Sequence, residues 1–124
     1  MADSAVSPRV LLVDDHEIYR AGLRGLLEEA GIDIVGEAAN GETALELVEA
    51  KHPNVVIMDL NMPGIGGIEA TRQITTVAPL ARVIMLTVSS AAPDITDAVL
   101  AGACGYLLKS ATTQEIVKIG RAHV

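Results

Sequence analysis

The chain has 124 residues, a length typical of one domain, and half of its residues are apolar. It contains no Trp or Phe and only two Tyr, so its core must consist of aliphatic side chains and Met. A formal net charge of −7 argues against a nucleic-acid-binding surface, which needs clustered Lys and Arg. A single cysteine, Cys104, rules out an intrachain disulfide and a Cys-based zinc site.

The N-terminal residues give no sign of export or membrane insertion. Residues 1–8 are small and polar, which predicts a flexible lead-in rather than a secretory signal segment. No apolar run approaches the ~18 residues that cross a bilayer. We therefore expect a cytoplasmic protein with no membrane partner.

Short apolar runs predict five strands, at residues 10–13, 32–35, 55–58, 82–86 and 105–108. Residues 55–58 form an unbroken apolar run, which is typical of a strand buried on both faces. Polar or acidic residues come directly after most of these runs. The pattern predicts a sheet with its polar groups gathered at the strand ends.

Helical patterns occupy the segments between the strands. The first carries Leu23, Leu26, Leu27 and Ala30 at helical spacing and ends at Gly31. Further helices are predicted around residues 44–48, 68–74 and 95–100, and a last one starting near Thr112 or Thr113. Five strands alternating with five helices predict an α/β fold, a parallel sheet with helices on both faces.

Polar residues end four of the predicted strands. Asp14 and Asp15 follow the first, Asp59 the third, Thr87 the fourth and Lys109 the fifth. Ligands of open parallel sheets bind at this carboxyl edge. Residues far apart in sequence should therefore meet in one pocket.

The chemistry of this set points to a cation and a phosphoryl group. Two carboxylates ~4 Å apart repel by about 4 kcal/mol at an effective dielectric near 20. Such a cluster therefore destabilises the folded chain unless a bound cation offsets the repulsion. Carboxylates open to water suit Mg²⁺, and the backbone carbonyl of Asn61 could complete its shell. Lys109 offers a fixed positive charge and Thr87 a hydroxyl donor. These are the parts needed to transfer a phosphoryl group to Asp59.

Four segments together resemble the receiver domain of bacterial two-component response regulators: VLLVDDH, VIMDLNMPGIGGIEA, VIMLT and AGACGYLLK. The resemblance covers residues 9–118. The DDH start, Arg20 and Gly22-Leu23, IVGEAANGE, and GYLLK without a following Pro are similar to the NarL/FixJ (LuxR-type) branch. The resemblance implies a flavodoxin-like, doubly wound (βα)5 fold with strand order 2-1-3-4-5.

The resemblance also implies roles for the site residues. Asp59 would accept a phosphoryl group from a sensor histidine kinase, and the chain would promote only its own phosphorylation and dephosphorylation rather than act as a metabolic enzyme. Asp14, Asp15 and Asp59 would bind Mg²⁺ together with the carbonyl of Asn61.

The remaining implied roles concern signal output. Thr87 and Lys109 would contact the phosphoryl group, and Thr87 and Tyr106 would then move as a switch. The switched surface would change homodimer formation or release an output domain, which in this branch is a C-terminal helix-turn-helix that binds DNA. The chain itself would contact no nucleic acid.

Three alternatives remain open. A phosphohydrolase of the haloacid dehalogenase type would carry a second Asp where this chain has Asn61. A flavin-binding flavodoxin-like protein would need a phosphate-cradling loop in place of Asp14-Asp15. A stand-alone single-domain regulator would have the same site and would differ only in carrying no output domain.

Three further residues, His16, Cys104 and Ser110, could be mistaken for functional residues or differ from the receiver pattern. We interpret His16 as a surface or helix-start residue rather than a metal ligand, and Cys104 as a small buried residue. Ser110 stands where many receivers have Pro after the lysine, and a cis bond before a non-proline costs ~3 kcal/mol.

The C-terminal residues 119–124 put glycine inside the expected last helix. Read as codons, ATC GGA AGA GCA CAC GTC encodes these six residues and matches a common sequencing-adapter read. We expect this tail to be non-native, with a DNA-binding domain missing after it.

Overall fold

The computed structural model describes residues 8–88 and 92–110, together with residues 114, 115 and 118. Five parallel strands form one sheet in the order β2-β1-β3-β4-β5. They are β1 (Arg9–Val13), β2 (Asp33–Ala38), β3 (Val55–Asp59), β4 (Arg82–Thr87) and β5 (Gly105–Leu108). The predicted α/β class and strand order are confirmed.

Four helices connect these strands: α1 (Glu17–Glu29), α2 (Gly41–Lys51), α3 (Gly66–Val77) and α4 (Ala92–Ala101). The predicted starts near Thr112 or Thr113 lie outside the described residues. Gln114, Glu115 and Lys118, which come after them, have helical backbone. The Asn40-Gly41 signal is a helix start, because the Asn40 side chain accepts a hydrogen bond from the Thr43 N–H (2.8 Å).

Alternate residues of the strands pack against helices on opposite faces of the sheet. One face packs Val56, Met58 and Met85 with α2, α3 and α4. The other face packs Leu12 and Ile57 with α1. All five residues of β3 are buried, as its unbroken apolar run predicts.

Several element boundaries differ from prediction. β2 runs to Ala38, because Val35 is an extra residue in its pairing with β1 and lets Gly36 and Glu37 continue the strand. α4 begins at Ala92 rather than near Ile95, and Pro93 falls in its first turn, where proline is tolerated. Cys104 is exposed, so its interpretation as a buried residue was wrong; it lies in the bend before β5.

No helix in the described part of the chain has the length and apolar character needed to cross a bilayer.

The start of α3 packs directly against the end of β3. A Cβ atom on Gly67 would collide with the backbone carbonyl of Asp59 and the Cα of Leu60. The Gly67 N–H also donates to the Leu60 carbonyl (3.1 Å). Only glycine permits this close approach, which fixes the loop immediately after Asp59.

Replacement Gly67→Ala should therefore lower the free energy of unfolding by about 1–3 kcal/mol, since the backbone must shift to admit a methyl group. Urea denaturation measures this change. The matched control is Gly25→Ala on exposed α1, where an added Cβ meets nothing within 4 Å. That control should raise stability by up to about 1 kcal/mol. Equal effects of the two changes would show that Gly67 is not a packing requirement.

Candidate functional site

The predicted strand ends meet at one edge of the sheet. Asp59 is the last residue of β3 and Thr87 the last of β4, while Asp14 and Lys109 directly follow β1 and β5. Backbone hydrogen bonds continue past the strands at this edge, from Asp14 N–H to the Ala38 carbonyl (3.0 Å) and from Lys109 N–H to the Thr87 carbonyl (2.7 Å). The sheet itself therefore holds these residues in place.

Asp59 is almost completely buried, with 2% of its surface exposed. Its Oδ1 accepts a hydrogen bond from the Asn61 N–H (3.2 Å), so the loop after β3 binds one of the two carboxylate oxygens. Its Oδ2 is buried and has no hydrogen-bond donor among the described residues. An anionic oxygen in that state is costly and needs a cation or a covalent partner.

Four residues bring possible ligand atoms together at this oxygen. One atom from each of Asp14, Asp15, His16 and Asp59 lies within 4.8 Å of the others. Asp14 is buried like Asp59, whereas Asp15 and His16 are exposed. The predicted carboxylate cluster is therefore present, and it opens to solvent on one side.

Lys109 is the cation of the cluster. Its Nζ lies 2.7 Å from Asp14 Oδ2 and 3.5 Å from Asp59 Oδ2. The shorter contact is a close ion pair, so Lys109 compensates the buried Asp14 Oδ2 more directly than it compensates Asp59 Oδ2. One ammonium group thus serves two buried carboxylates and lies closer to Asp14.

The burial of Asp59 and the charges around it change the pKa of its carboxyl group. Burial, reinforced by the Asp14 carboxylate, raises the pKa of the Asp59 carboxyl to about 6, against the opposing effect of Lys109. The cluster is therefore short of positive charge near neutral pH.

His16 is placed at the start of α1, as expected, but its ring also belongs to the cluster. Its backbone N–H donates to Asp14 Oδ1 (2.8 Å), and its Nδ1 lies 3.0 Å from the same oxygen. The same Nδ1 lies 3.1 Å from Lys109 Nζ. This nitrogen donates to Asp14 in one tautomer and accepts from Lys109 in the other.

An ionic network behind the cluster holds the loop that carries Asp14. Arg20 donates to the Asp14 carbonyl and to Glu37 Oε1, the second bond at 2.9 Å. Arg24 pairs with the other oxygen of Glu37. These hydrogen bonds from the two arginines lower the pKa of the Glu37 carboxyl against the opposing effect of burial. The network ties α1 to β2 across the end of β1.

The two predicted switch residues lie on one face of the sheet. Thr87 is fully buried and follows Leu86, which pairs with Asp59. Tyr106 is half-buried, pairs with Met85, and packs in the cluster that contains Ala98 of α4. Strand alternation puts Thr87 on the same face as Met85. Thr87 thus lies at the same edge of the sheet as Asp59, whereas Tyr106 packs beside α4.

The oxygen-rich cluster fits a small divalent cation. The carboxylate oxygens of buried Asp14 and Asp59 and of solvent-exposed Asp15 are hard ligands of the kind that Mg²⁺ binds with several waters retained. The role of the Asn61 carbonyl as a ligand stays a prediction.

Comparison with known proteins agrees with this geometry. The response regulator receiver domain family matches residues 10–121. The chain belongs to the response regulator receiver family. It is 50% identical over 114 residues to the response regulator UvrY of Escherichia coli O6:H1, covering 91% of this chain and 52% of that protein.

Two solved structures have the same fold as this receiver domain. The signal receiver domain of the putative response regulator NarL from Mycobacterium tuberculosis superposes with a TM-score of 0.90 at 34% identity, covering 95% of this chain and 96% of that one. A DNA-binding response regulator of the LuxR family from Staphylococcus aureus gives 0.86 at 28% identity, covering 94% and 99%. The flavodoxin-like fold and the NarL/FixJ (LuxR-type) branch are confirmed.

The receiver spans about half the length of the curated relatives it matches. Receivers of this family are parts of two-component systems and are generally not metabolic enzymes.

Sequence reasoning did not find three parts of the site: the ring of His16 in the cluster, the Arg20–Glu37 support, and Tyr19. Arg20 and Arg24 are four residues apart on one helix, so two like charges share one face, and their repulsion was a usable signal that an acidic partner lies nearby. Nothing local in the sequence shows that Tyr19 contacts Lys109, 90 residues later in the chain.

Replacement Asp59→Asn should stabilise the metal-free protein at neutral pH. The folded carboxyl has a pKa of about 6 against an ordinary 3.8, so the folded state binds the proton more tightly than the unfolded state. The ionised form consequently costs stability fully above pH ~6, and this cost disappears as pH falls towards ~4. One pKa unit is worth about 1.4 kcal/mol, which gives a gain of up to about 3 kcal/mol for the variant at pH 7.5.

Urea denaturation in a chelator at a series of pH values measures this difference. The control is Asp33→Asn, an exposed residue at the opposite edge of the sheet. A gain for Asp59→Asn that stays constant from pH 4 to pH 8 would contradict the assigned titration.

Proposed function

We propose that this chain is the phosphoacceptor receiver domain of a response regulator, in which Asp59 takes a phosphoryl group from a sensor histidine kinase with the help of Mg²⁺. One observation carries the proposal. The Asp59 carboxylate is buried and keeps one oxygen free of hydrogen bonds, beside a lysine ammonium and a second buried carboxylate. This is the arrangement of a nucleophile held next to the charges that a phosphoryl group needs.

Asp14, Asp15 and Asp59 would hold the metal ion, with the Asn61 carbonyl as a further ligand. When bound, Mg²⁺ supplies positive charge to the phosphoryl oxygens and offsets the repulsion between the carboxylates. The chain positions these ligands through the ends of β1 and β3 and through the Arg20 contact behind Asp14.

In the transfer, an Asp59 carboxylate oxygen attacks the phosphorus atom of the phosphohistidine in the kinase. The new P–O bond forms as the P–N bond to the imidazole breaks, and the imidazole leaves with the bonding electron pair. Lys109 stabilises the added negative charge, because its Nζ already lies 3.5 Å from Asp59 Oδ2. Thr87 supplies a hydroxyl donor from the neighbouring strand.

The signal would leave the site along one face of the sheet. Phosphorylation replaces the single negative charge of the Asp59 carboxylate with a phosphoryl group that carries about −1.5 to −2, and its oxygens draw the Thr87 hydroxyl towards them. Tyr106 lies on the same face one strand away and next to α4, so it can follow Thr87 and change that surface.

The output of the switch would be transcription regulation. The LuxR-family structure from S. aureus is described as DNA-binding, and this chain spans about half the length of relatives such as UvrY. We propose that residues 9–118 are the receiver domain and that a helix-turn-helix domain follows it in the natural protein, with homodimer formation as the step that phosphorylation controls.

Incubation with Mg²⁺ and acetyl phosphate, a small phosphodonor, should add one phosphoryl group to the wild-type chain, as read by intact mass. The addition should disappear in Asp59→Asn and in a chelator, and it should persist in Asp33→Asn. A wild-type chain that stays unmodified while remaining folded would contradict the proposal. Steady turnover of a phosphate ester without a lasting adduct would favour a phosphohydrolase.

Metal binding can be tested without phosphorylation. Mg²⁺ at ten times its dissociation constant should raise the free energy of unfolding by about 1.4 kcal/mol, because it binds only the folded chain. The effect should be lost in Asp15→Asn, which removes an exposed carboxylate with little disturbance to packing. If Asp15→Asn and Asp33→Asn respond to Mg²⁺ like the wild type, Asp15 is not a ligand.

A further inference from the structure

Lys109 has a second neighbour besides the carboxylates. Its Nζ lies 4.7 Å from the centroid of the Tyr19 ring. Tyr19 belongs to the third position of α1, and Lys109 directly follows β5, so the contact joins distant parts of the chain. A cation within about 6 Å of a ring face is attracted to it by the quadrupole of the ring.

The Tyr19 hydroxyl does not explain the placement of this side chain. Its oxygen is buried and has no hydrogen-bond partner among the described residues. Burial, with the charges of Asp14 and Asp59, raises the pKa of the Tyr19 hydroxyl, so the ring stays neutral at physiological pH. What Tyr19 offers its surroundings is therefore the ring rather than the hydroxyl.

Lys109 needs such a neighbour because its position is poorly determined by the carboxylates alone. A lysine side chain is long and has large rotamer entropy, and its ammonium is a point charge without a preferred direction. Here Nζ lies between Asp14 and Asp59 and is also 3.1 Å from His16 Nδ1. The Tyr19 ring, which belongs to α1, limits the movement of the ammonium group. The ammonium group then stays close to the two carboxylates.

We propose that Tyr19 is a positioning residue for phosphorylation, whose ring holds the Lys109 ammonium at the Asp59 carboxylate. The inference rests on the proposed function, since Lys109 is the group that meets the incoming phosphoryl charge. Among the described residues the Tyr19 hydroxyl makes no hydrogen bond to the carboxylates of the cluster. Its effect passes entirely through Lys109.

The first test is the rate of phosphorylation by acetyl phosphate with Mg²⁺, followed by intact mass. Tyr19→Leu should react about three- to tenfold more slowly than the wild type, because a cation–π contact of this exposure is lost. Tyr19→Phe keeps the ring and should react at the wild-type rate. Ile18→Ala is the matched control on the adjacent, 90% exposed position of the same helix and should also react normally.

A double-mutant cycle separates this role from general damage to α1. In a Lys109→Gln background, Tyr19→Leu should cause no further change in rate, because its partner is already absent. A slowdown of the same size in both backgrounds would overturn the proposal. So would a Tyr19→Phe variant as slow as Tyr19→Leu, or a Tyr19→Leu variant as fast as the wild type.

The geometry has its own readout in the unphosphorylated protein. Protons held over an aromatic face resonate upfield, so the ε-methylene signal that disappears in Lys109→Gln should be shifted upfield in the wild type and in Tyr19→Phe. Far-UV circular dichroism confirms that each variant is folded. An unshifted ε-methylene signal in the wild type would overturn the proposal whatever the variants do.

The two readouts distinguish failure of this inference from failure of the proposed function. A wild-type chain that takes no phosphoryl group refutes the proposed function, and the inference that rests on it then fails. A wild-type chain that is phosphorylated, with no upfield signal or no Tyr19→Leu defect, refutes only the role of Tyr19.

Discussion

Repulsion between two buried carboxylates, Asp14 and Asp59, is the constraint on which the rest of the site depends. The ends of β1 and β3 hold both residues at the same edge of the sheet, and Asp59 keeps one buried oxygen without a hydrogen-bond donor among the described residues. A single ammonium group, that of Lys109, lies between them. Burial and this repulsion together raise the pKa of Asp59, and a bound divalent cation would offset the excess negative charge.

The surroundings of the cluster can be understood as support for this unfavourable arrangement. Gly67 lets α3 pack against the carbonyl of Asp59, and Arg20 holds the carbonyl of Asp14. The aromatic ring of Tyr19 lies against the Lys109 ammonium. Strain of this kind persists at functional sites because the surrounding structure fixes it from several directions.

The sequence predicted the parts of the structure that depend on periodicity and position. The unbroken apolar run before Asp59 predicted a strand buried on both faces, and parallel topology then brought Asp14, Thr87 and Lys109 to the same edge. The length of β2 was not predictable, because Gly36 and Glu37 pair with β1 only after the chain skips the unpaired residue Val35, and no local pattern marks such a bulge. The contact of Tyr19 with Lys109 depends on how α1 packs relative to the end of β5. The spacing of apolar residues in the sequence does not specify that packing.

The charge imbalance at Asp59 is the central claim, and a site-resolved titration tests it most directly. The carboxyl carbon of Asp59, followed by NMR in the wild-type chain, should titrate near pH 6 in a chelator. With saturating Mg²⁺ its apparent pKa should fall well below that value, because the metal binds the ionised form. An Asp59 that titrates near its ordinary value of 3.8 without metal, and does not respond to Mg²⁺, would contradict the account.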